Sequence, residues 1–262
     1  MSLVIGRVAL FWVGYLGILF LASWSKPMLP ARLGQLAWGL ISCLAILGLT
    51  LVFLRRERRS LRDAGLDVQA SSLVRFLAGL LVGAAVYGLM LLAISVVAGP
   101  IRFTRENAPG NSDILLMVAT FLALSAMEEM GFRGYPLRTL VAALGHWRAQ
   151  AVVAVAFSVS HLVFGWSWQT VVLGVLPNAV LFGVVAFASG GLAMPIGLHA
   201  AINIGRWVTG ETDSPGIWHM AIEGQGRGPT WLPSVIGVAV TALATVAVWA
   251  QRRRFSHRRE HR

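Results

Sequence analysis

Glu128 and Glu129 stand side by side at the end of a long apolar run, LLMVATFLALSAMEEMGFRGYPLR, with Arg133 one helical turn further on. An ionised side chain at membrane depth costs roughly 3 kcal/mol on insertion scales, so such groups persist only where they are buried, paired or used. On a helix, residues four apart share a face, while adjacent ones point about 100° apart. Glu129 and Arg133 are therefore natural partners, with Glu on the favourable N-terminal side. Glu128 points elsewhere, into the bundle, and needs a partner from another helix. Two histidines qualify, His161 in FSVSH and His199 in GLHAAIN. Each has a companion four residues away, Phe157 for the first and Asn203 for the second. Three separate runs thus each place a chemistry-capable group on one helical face.

A carboxylate beside an imidazole can polarise a water, the carboxylate acting as general base. A second imidazole with an amide can donate hydrogen bonds to the oxyanion of a tetrahedral intermediate. That inventory suits peptide hydrolysis without a covalent intermediate. It also admits a metal, since Glu128, His161 and His199 could hold Zn²⁺ with a water in the fourth position. Asn is a poor zinc ligand, which favours the oxyanion role for Asn203. Asn178, following Pro177, has no companion and reads as interhelical hydrogen-bonding glue. Ser158 and Ser160 are expected to bond back to their own helix. His146, His219, His257 and His261 fall in loops or the tail and read as surface. The single cysteine, Cys43, excludes an intramolecular disulfide and a multi-cysteine metal site.

The elements that must position these groups are membrane spans. The chain is 56% hydrophobic and 13% charged, with mean hydropathy +0.71, which no ordinary soluble domain matches. Continuous apolar runs occupy about residues 8–24, 35–54, 74–97, 114–130, 149–166, 170–188, 192–208 and 231–250. They predict an all-α polytopic bundle of about eight transmembrane helices, the fourth, fifth and seventh interrupted by polar residues. Continuous runs argue against a β-barrel, whose strands alternate. The whole of residues 1–262 reads as one integral membrane domain, with no repeat and no soluble domain. The first run lacks a small-residue cleavage site followed by a soluble domain and reads as a retained anchor helix rather than a signal peptide. Polar segments 99–113 and 210–230, rich in Gly, Pro, Asn and Asp, read as loops.

The net charge of +11 is placed for topology rather than for nucleic acid. Arginines cluster just after the second run, at residues 55–62, and in the basic tail 251–262, RRRFSHRREHR included. With both regions cytoplasmic, eight spans put the N-terminus inside as well. Arg7, Arg75, Arg133, Arg138 and Arg148 then join them there. Lys26, Arg32, Arg102, Arg105, Arg206 and Arg227 remain outside, the asymmetry that the positive-inside rule expects. The expected location is the cell membrane, with N- and C-termini cytoplasmic and the tail touching anionic headgroups.

In order, EEMGFR, FSVSH and HAAIN resemble the motifs of the CAAX proteases and bacteriocin-processing enzymes, also called Abi-type intramembrane proteases. That pattern is E-E-x-x-x-R, then F-x-x-x-H, then H-x-x-x-N, and no motif residue departs from it. The resemblance covers residues 113–208, the catalytic core helices, and extends to the basic RRERRSLRDAGL segment. It implies an eight-helix bundle with a cavity open towards the cytoplasmic side. It further implies a prenyl endopeptidase-like mechanism in which Glu128 is the base and His161 its partner. His199 and Asn203 then stabilise the oxyanion, while Glu129, Arg133 and Phe157 support the site. No metal cofactor is preferred, with Zn²⁺ the alternative. The expected partner is a membrane-anchored peptide or protein within the lipid bilayer.

Two other classes compete. A non-catalytic immunity or scaffold protein would keep the polar cluster for stability, and a proton-coupled transporter would use Glu and His as a relay. Among other intramembrane proteases, residues exclude H-E-x-x-H and G-x-S-G types, and no paired intramembrane aspartates are present. One conflict concerns depth. Glu128 lies about two turns from the cytoplasmic end of a straight fourth helix, His161 about twelve residues into the fifth. Either the fourth helix continues past Gly134 with a bend at Pro136, or the fifth begins later.

Overall fold

The computed structural model describes residues 1–105, 109–212, 214–224 and 229–260, with side chains as far as Gln251. Asp213, Arg227 and the side chains of the basic tail, His257 and His261 included, lie outside the described residues. The chain is helical nearly throughout. Helices α1 (Ser2–Ser23), α2 (Ala31–Arg56) and α3 (Ala70–Val97) are followed by α4 (Asn111–Arg133), α5 (Tyr135–Leu144) and α6 (His146–Val163). Then come α7 (Trp168–Ser189), interrupted by a π turn at Val171–Val175, α8 (Ala193–Val208) and α9 (Leu232–Glu260).

Successive helices connect two opposite ends of the bundle. At one end Arg7 donates to Glu57 Oε1 (2.8 Å), joining the start of α1 to the residue after α2. Arg59 donates to Thr139 Oγ1 of α5 (2.8 Å), and the Leu192 amide, just before α8, donates to Gly65 O (3.0 Å). The Trp147 and Trp249 rings, from the start of α6 and the far end of α9, meet there at 4.6 Å. Both chain ends therefore approach the same face, the one that carries the arginine-rich 55–62 segment.

Among the described residues six stretches are long and apolar enough to cross a membrane: α1, α2, α3, α4 with α5, α7 and the Leu232–Gln251 part of α9. Helices α6 and α8 are not among these: α8 spans only 16 residues, and α6 carries His146, Arg148, Gln150 and His161 in its 18. Helix α8 is largely buried in the bundle, whereas α6 exposes Val152, Val155, Val159, Leu162 and Val163 along its outer face. Helix α8 packs so closely on α3 that a Cβ at Gly79 or Gly83 would enter the backbone at Met194 or Leu198, the close approach that small residues permit between membrane helices.

The depth conflict is resolved by the first alternative. Helical structure continues after α4 into α5, with the bend at Gly134 (ψ −120°) rather than at Pro136 itself. Glu128 therefore lies mid-way along Asn111–Leu144. Segments 99–113 and 210–230 are not loops alone. Ile101–Arg105 (β1) pairs antiparallel with Trp218–Ile222 (β2), and an Arg102–Glu223 ion pair braces the two. The strand partners are over a hundred residues apart, so no local turn signal announced them.

Candidate active site

Arg133 is the deepest cation, with 0% of its side chain exposed, as is that of Glu129. Its Nη1 donates to Glu129 Oε1 (3.2 Å) and its Nη2 to Ala179 O on α7 (3.1 Å). The guanidinium plane lies over the Phe157 ring (4.2 Å) and near that of Phe182 (5.5 Å). Arg suits this position because its planar fork reaches a carboxylate and a carbonyl while its face stacks on aromatic rings. Gln150 Nε2 from α6 shares the Ala179 carbonyl (3.0 Å). Three helices, α4, α6 and α7, thus converge on one buried charge. Arg133 is accordingly not one of the charges that set topology, as its sequence position had suggested. Desolvating it at the bundle centre is tolerable only because Glu129 is there.

His199 sits between the two glutamates. Its Nδ1 is 3.0 Å from Glu129 Oε1, and its Nε2 is 3.6 Å from Glu128 Oε2. The ring is buried and stacks on Phe182 (4.4 Å, 24°). Glu129 is therefore shared between Arg133 and His199, which fixes the imidazole's orientation as a carboxylate fixes a catalytic or metal-bound histidine elsewhere. The expected interhelical partner of Glu128 is thus His199. Its carboxyl is 21% exposed, and Oε2 makes no hydrogen bond. Oε2 of each glutamate makes no hydrogen bond, but Glu129 is sealed while Glu128 is partly exposed.

His161 lies one turn beyond Phe157 on α6. Its Nδ1 bonds to Phe157 O (2.9 Å), and its ring packs on Phe157 (4.6 Å) and against Trp166 (5.0 Å). A carbonyl can only accept, so Nδ1 carries a proton, and in the neutral imidazole Nε2 keeps its lone pair. Helices α4 and α6 run antiparallel, and Phe157 stacks on Arg133. The turn after Phe157 therefore lies at the depth of the turn before Arg133, where the glutamates are. No hydrogen bond or ion pair joins His161 to Glu128 among the described residues. Asn203, one turn beyond His199, is half-buried and makes no hydrogen bond among the described residues.

Other expectations divide. Ser160 bonds back to Phe157 O (2.7 Å), but the buried Ser158 hydroxyl has no partner, being turned from the carbonyl one turn back. Asn178 is not interhelical glue. Its Nδ2 donates to Gly174 O in its own helix (2.9 Å). His146 and His219 are exposed, as expected, and the Cys43 thiol contacts Ala123 O (3.2 Å). The proposed zinc set does not converge: among the described residues no three His, Cys, Asp or Glu side chains form a group that could hold a metal ion. Gln150 went unnoticed in the sequence although an amide inside an apolar run was a usable signal. Phe182 carried no signal at all.

No curated protein matches the chain. Residues 110–205, from the start of α4 to just past the His199–Asn203 turn, match the protease family described as Rce1-like, type II CAAX prenyl endopeptidase Rce1-like, in agreement with what the three motifs resemble.

Proposed function

We propose that this protein is an intramembrane endopeptidase that hydrolyses a peptide bond of a membrane-anchored substrate by direct attack of water. One observation carries the reading most: a partly exposed carboxylate, Glu128, whose Oε2 makes no hydrogen bond, lies 3.6 Å from an imidazole, His199, whose other nitrogen is already anchored by Glu129. The water donates one hydrogen bond to Glu128 and the other to His161 Nε2, both acceptors, which leaves an oxygen lone pair for the carbonyl carbon. Glu128 takes the proton as the C–O bond forms. The carbonyl oxygen becomes an oxyanion, held by the Asn203 amide and by His199 Nε2 when that imidazole carries both protons. As the intermediate collapses, the C–N bond breaks, and the proton on Glu128 passes to the departing amine.

Glu129 and Arg133 take no part in bond making. They hold α4 against α6, α7 and α8 so that the reacting groups stay in register. The reaction is proposed to need no metal, and no step is routed through one. The basic end of the bundle is proposed to be cytoplasmic, because its arginines follow the positive-inside rule. The substrate class is proposed to be prenylated or otherwise lipid-anchored peptides.

The test is cleavage of a farnesylated, internally quenched peptide by purified protein in liposomes, with metal content measured on the same sample. Glu128→Ala and His161→Ala are expected to lose activity while still inserting and purifying. Wild-type turnover in both would end the protease reading. Stoichiometric zinc with chelator-sensitive cleavage would replace the mechanism while leaving the activity.

A further inference from the structure

Helix α1 looks like a plain apolar anchor, yet it delivers a phenol to the site. Tyr15 is 2% exposed, and its hydroxyl makes no hydrogen bond among the described residues. Buried tyrosine hydroxyls normally find a partner, and leaving one unmade costs free energy. The ring is pressed on α4 where the chain has Gly131, since a Cβ there would run into its edge. It meets Phe132 edge-on (5.1 Å), and the neighbouring Trp12 Nε1 donates to Gly131 O (3.3 Å), pinning α1 at this height. Gly131 and Phe132 lie three and four residues after Glu128, on the same face of α4. The Tyr15 hydroxyl, which can donate, and Glu128 Oε2, a buried atom that makes no hydrogen bond and can accept, therefore lie toward one face of α4.

We infer that Tyr15 is a positioning residue, its O–H donating to the Glu128 carboxylate or to the water that this carboxylate holds. The inference rests on Glu128 being the base of the proposed reaction. The donor would fix which carboxylate oxygen faces the water, leaving the other to take the proton. His199 approaches the same carboxylate from α8, so Glu128 would be held from two sides by groups that turn with neither α4 nor the substrate. Gly131 is then explained as well, because any larger residue would displace the phenol.

The experiment compares wild type, Tyr15→Phe and Glu128→Gln in liposomes with the same farnesylated quenched peptide, together with thermal unfolding and infrared spectra. Tyr15→Phe removes one oxygen and keeps the ring packing. Losing a single hydrogen bond used in the transition state is expected to lower kcat about tenfold, with KM within about twofold and the melting temperature unchanged. The infrared carboxyl band that disappears in Glu128→Gln is expected to move in Tyr15→Phe. An unmoved band overturns the inference, whether or not the peptide is cleaved and whether or not the variant is less stable. An unchanged kcat alongside an inactive Glu128→Gln overturns it too. Wild-type activity in Glu128→Gln instead removes the protease mechanism itself, a different outcome that the band still separates from the Tyr15–Glu128 contact.

Discussion

Replacing Glu129 with Ala should unfold the centre of this protein, although it deletes only one carboxyl. Both partners of the Glu129–Arg133 pair have fully buried side chains, and removing one partner of such a pair costs about 3–5 kcal/mol because a charge is left uncompensated. The Ala179 carbonyl and the faces of Phe157 and Phe182 remain around the guanidinium, and cation–π contact offsets up to about 2 kcal/mol of its cost. His199 loses its Nδ1 partner as well, at about 1–2 kcal/mol. The expected net effect is about 4 kcal/mol, roughly three decades in the folding equilibrium. Adding Arg133→Met should recover most of it, because Met fills similar volume and removes the stranded charge. Glu128→Gln, one residue away, should change stability by less than about 0.5 kcal/mol. The assay is equilibrium unfolding in mixed micelles followed by tryptophan fluorescence, in one lipid for all variants. A Glu129→Ala/Arg133→Met double variant no more stable than Glu129→Ala would refute the argument that the stranded cation is what the glutamate relieves.

Three further outcomes follow from other contacts. Glu128→Gln should lower the peptide cleavage rate about 10²–10⁴-fold, the usual worth of a general base, with the fold intact by unfolding assay. Gly83→Val would drive a side chain into the Leu198 backbone, push α8 and His199 away, and cost about a hundredfold or more in cleavage rate, since a displacement of about 1 Å suffices. Glu57 has an acid-sensitive role. Burial raises its carboxyl, but the Tyr135 hydroxyl and Arg59, with the charge of Arg7, outweigh this and hold it below its ordinary value of 4.5. Its folded value being the lower one, its contribution is complete above about pH 4.5 and is lost as pH falls through the folded value. Wild type should therefore exceed Glu57→Gln in stability at neutral pH and lose that advantage on acidification, as read by unfolding titrations across that window.

The helix inventory and the motif residues were readable because both depend on short-range spacing. Apolar runs mark spans, and the offsets 129/133, 157/161 and 199/203 mark faces. What could not be read is which helix faces which. The assignment of His199 rather than His161 to Glu128 depends on the close seating of α8 on α3 through Gly79, Gly83 and Gly197, a long-range fact that no local pattern contains. The bend at Gly134 was half legible, since Pro136 drew attention to the right turn. The pairing of β1 with β2, the π turn before Pro177 and the approach of Tyr15 to α4 depend on tertiary contacts, and composition alone treats all three as featureless.

The adjacency of the two glutamates carries the functional logic. Two carboxylates one residue apart diverge by about 100° on a helix, so one sequence position can be given to structure and the next to chemistry without either losing its environment. Glu129 is turned to Arg133 and His199 and sealed from solvent. Glu128 is turned toward His199 Nε2 of α8 (3.6 Å) and is partly exposed. Had the carboxylates been four residues apart, both would have faced Arg133, and the cation would have quenched the base it is meant to support. The polar, short helices α6 and α8 belong to the same arrangement. Packed with the six apolar stretches found among the described residues, they carry Gln150, His199 and Asn203 into the bundle.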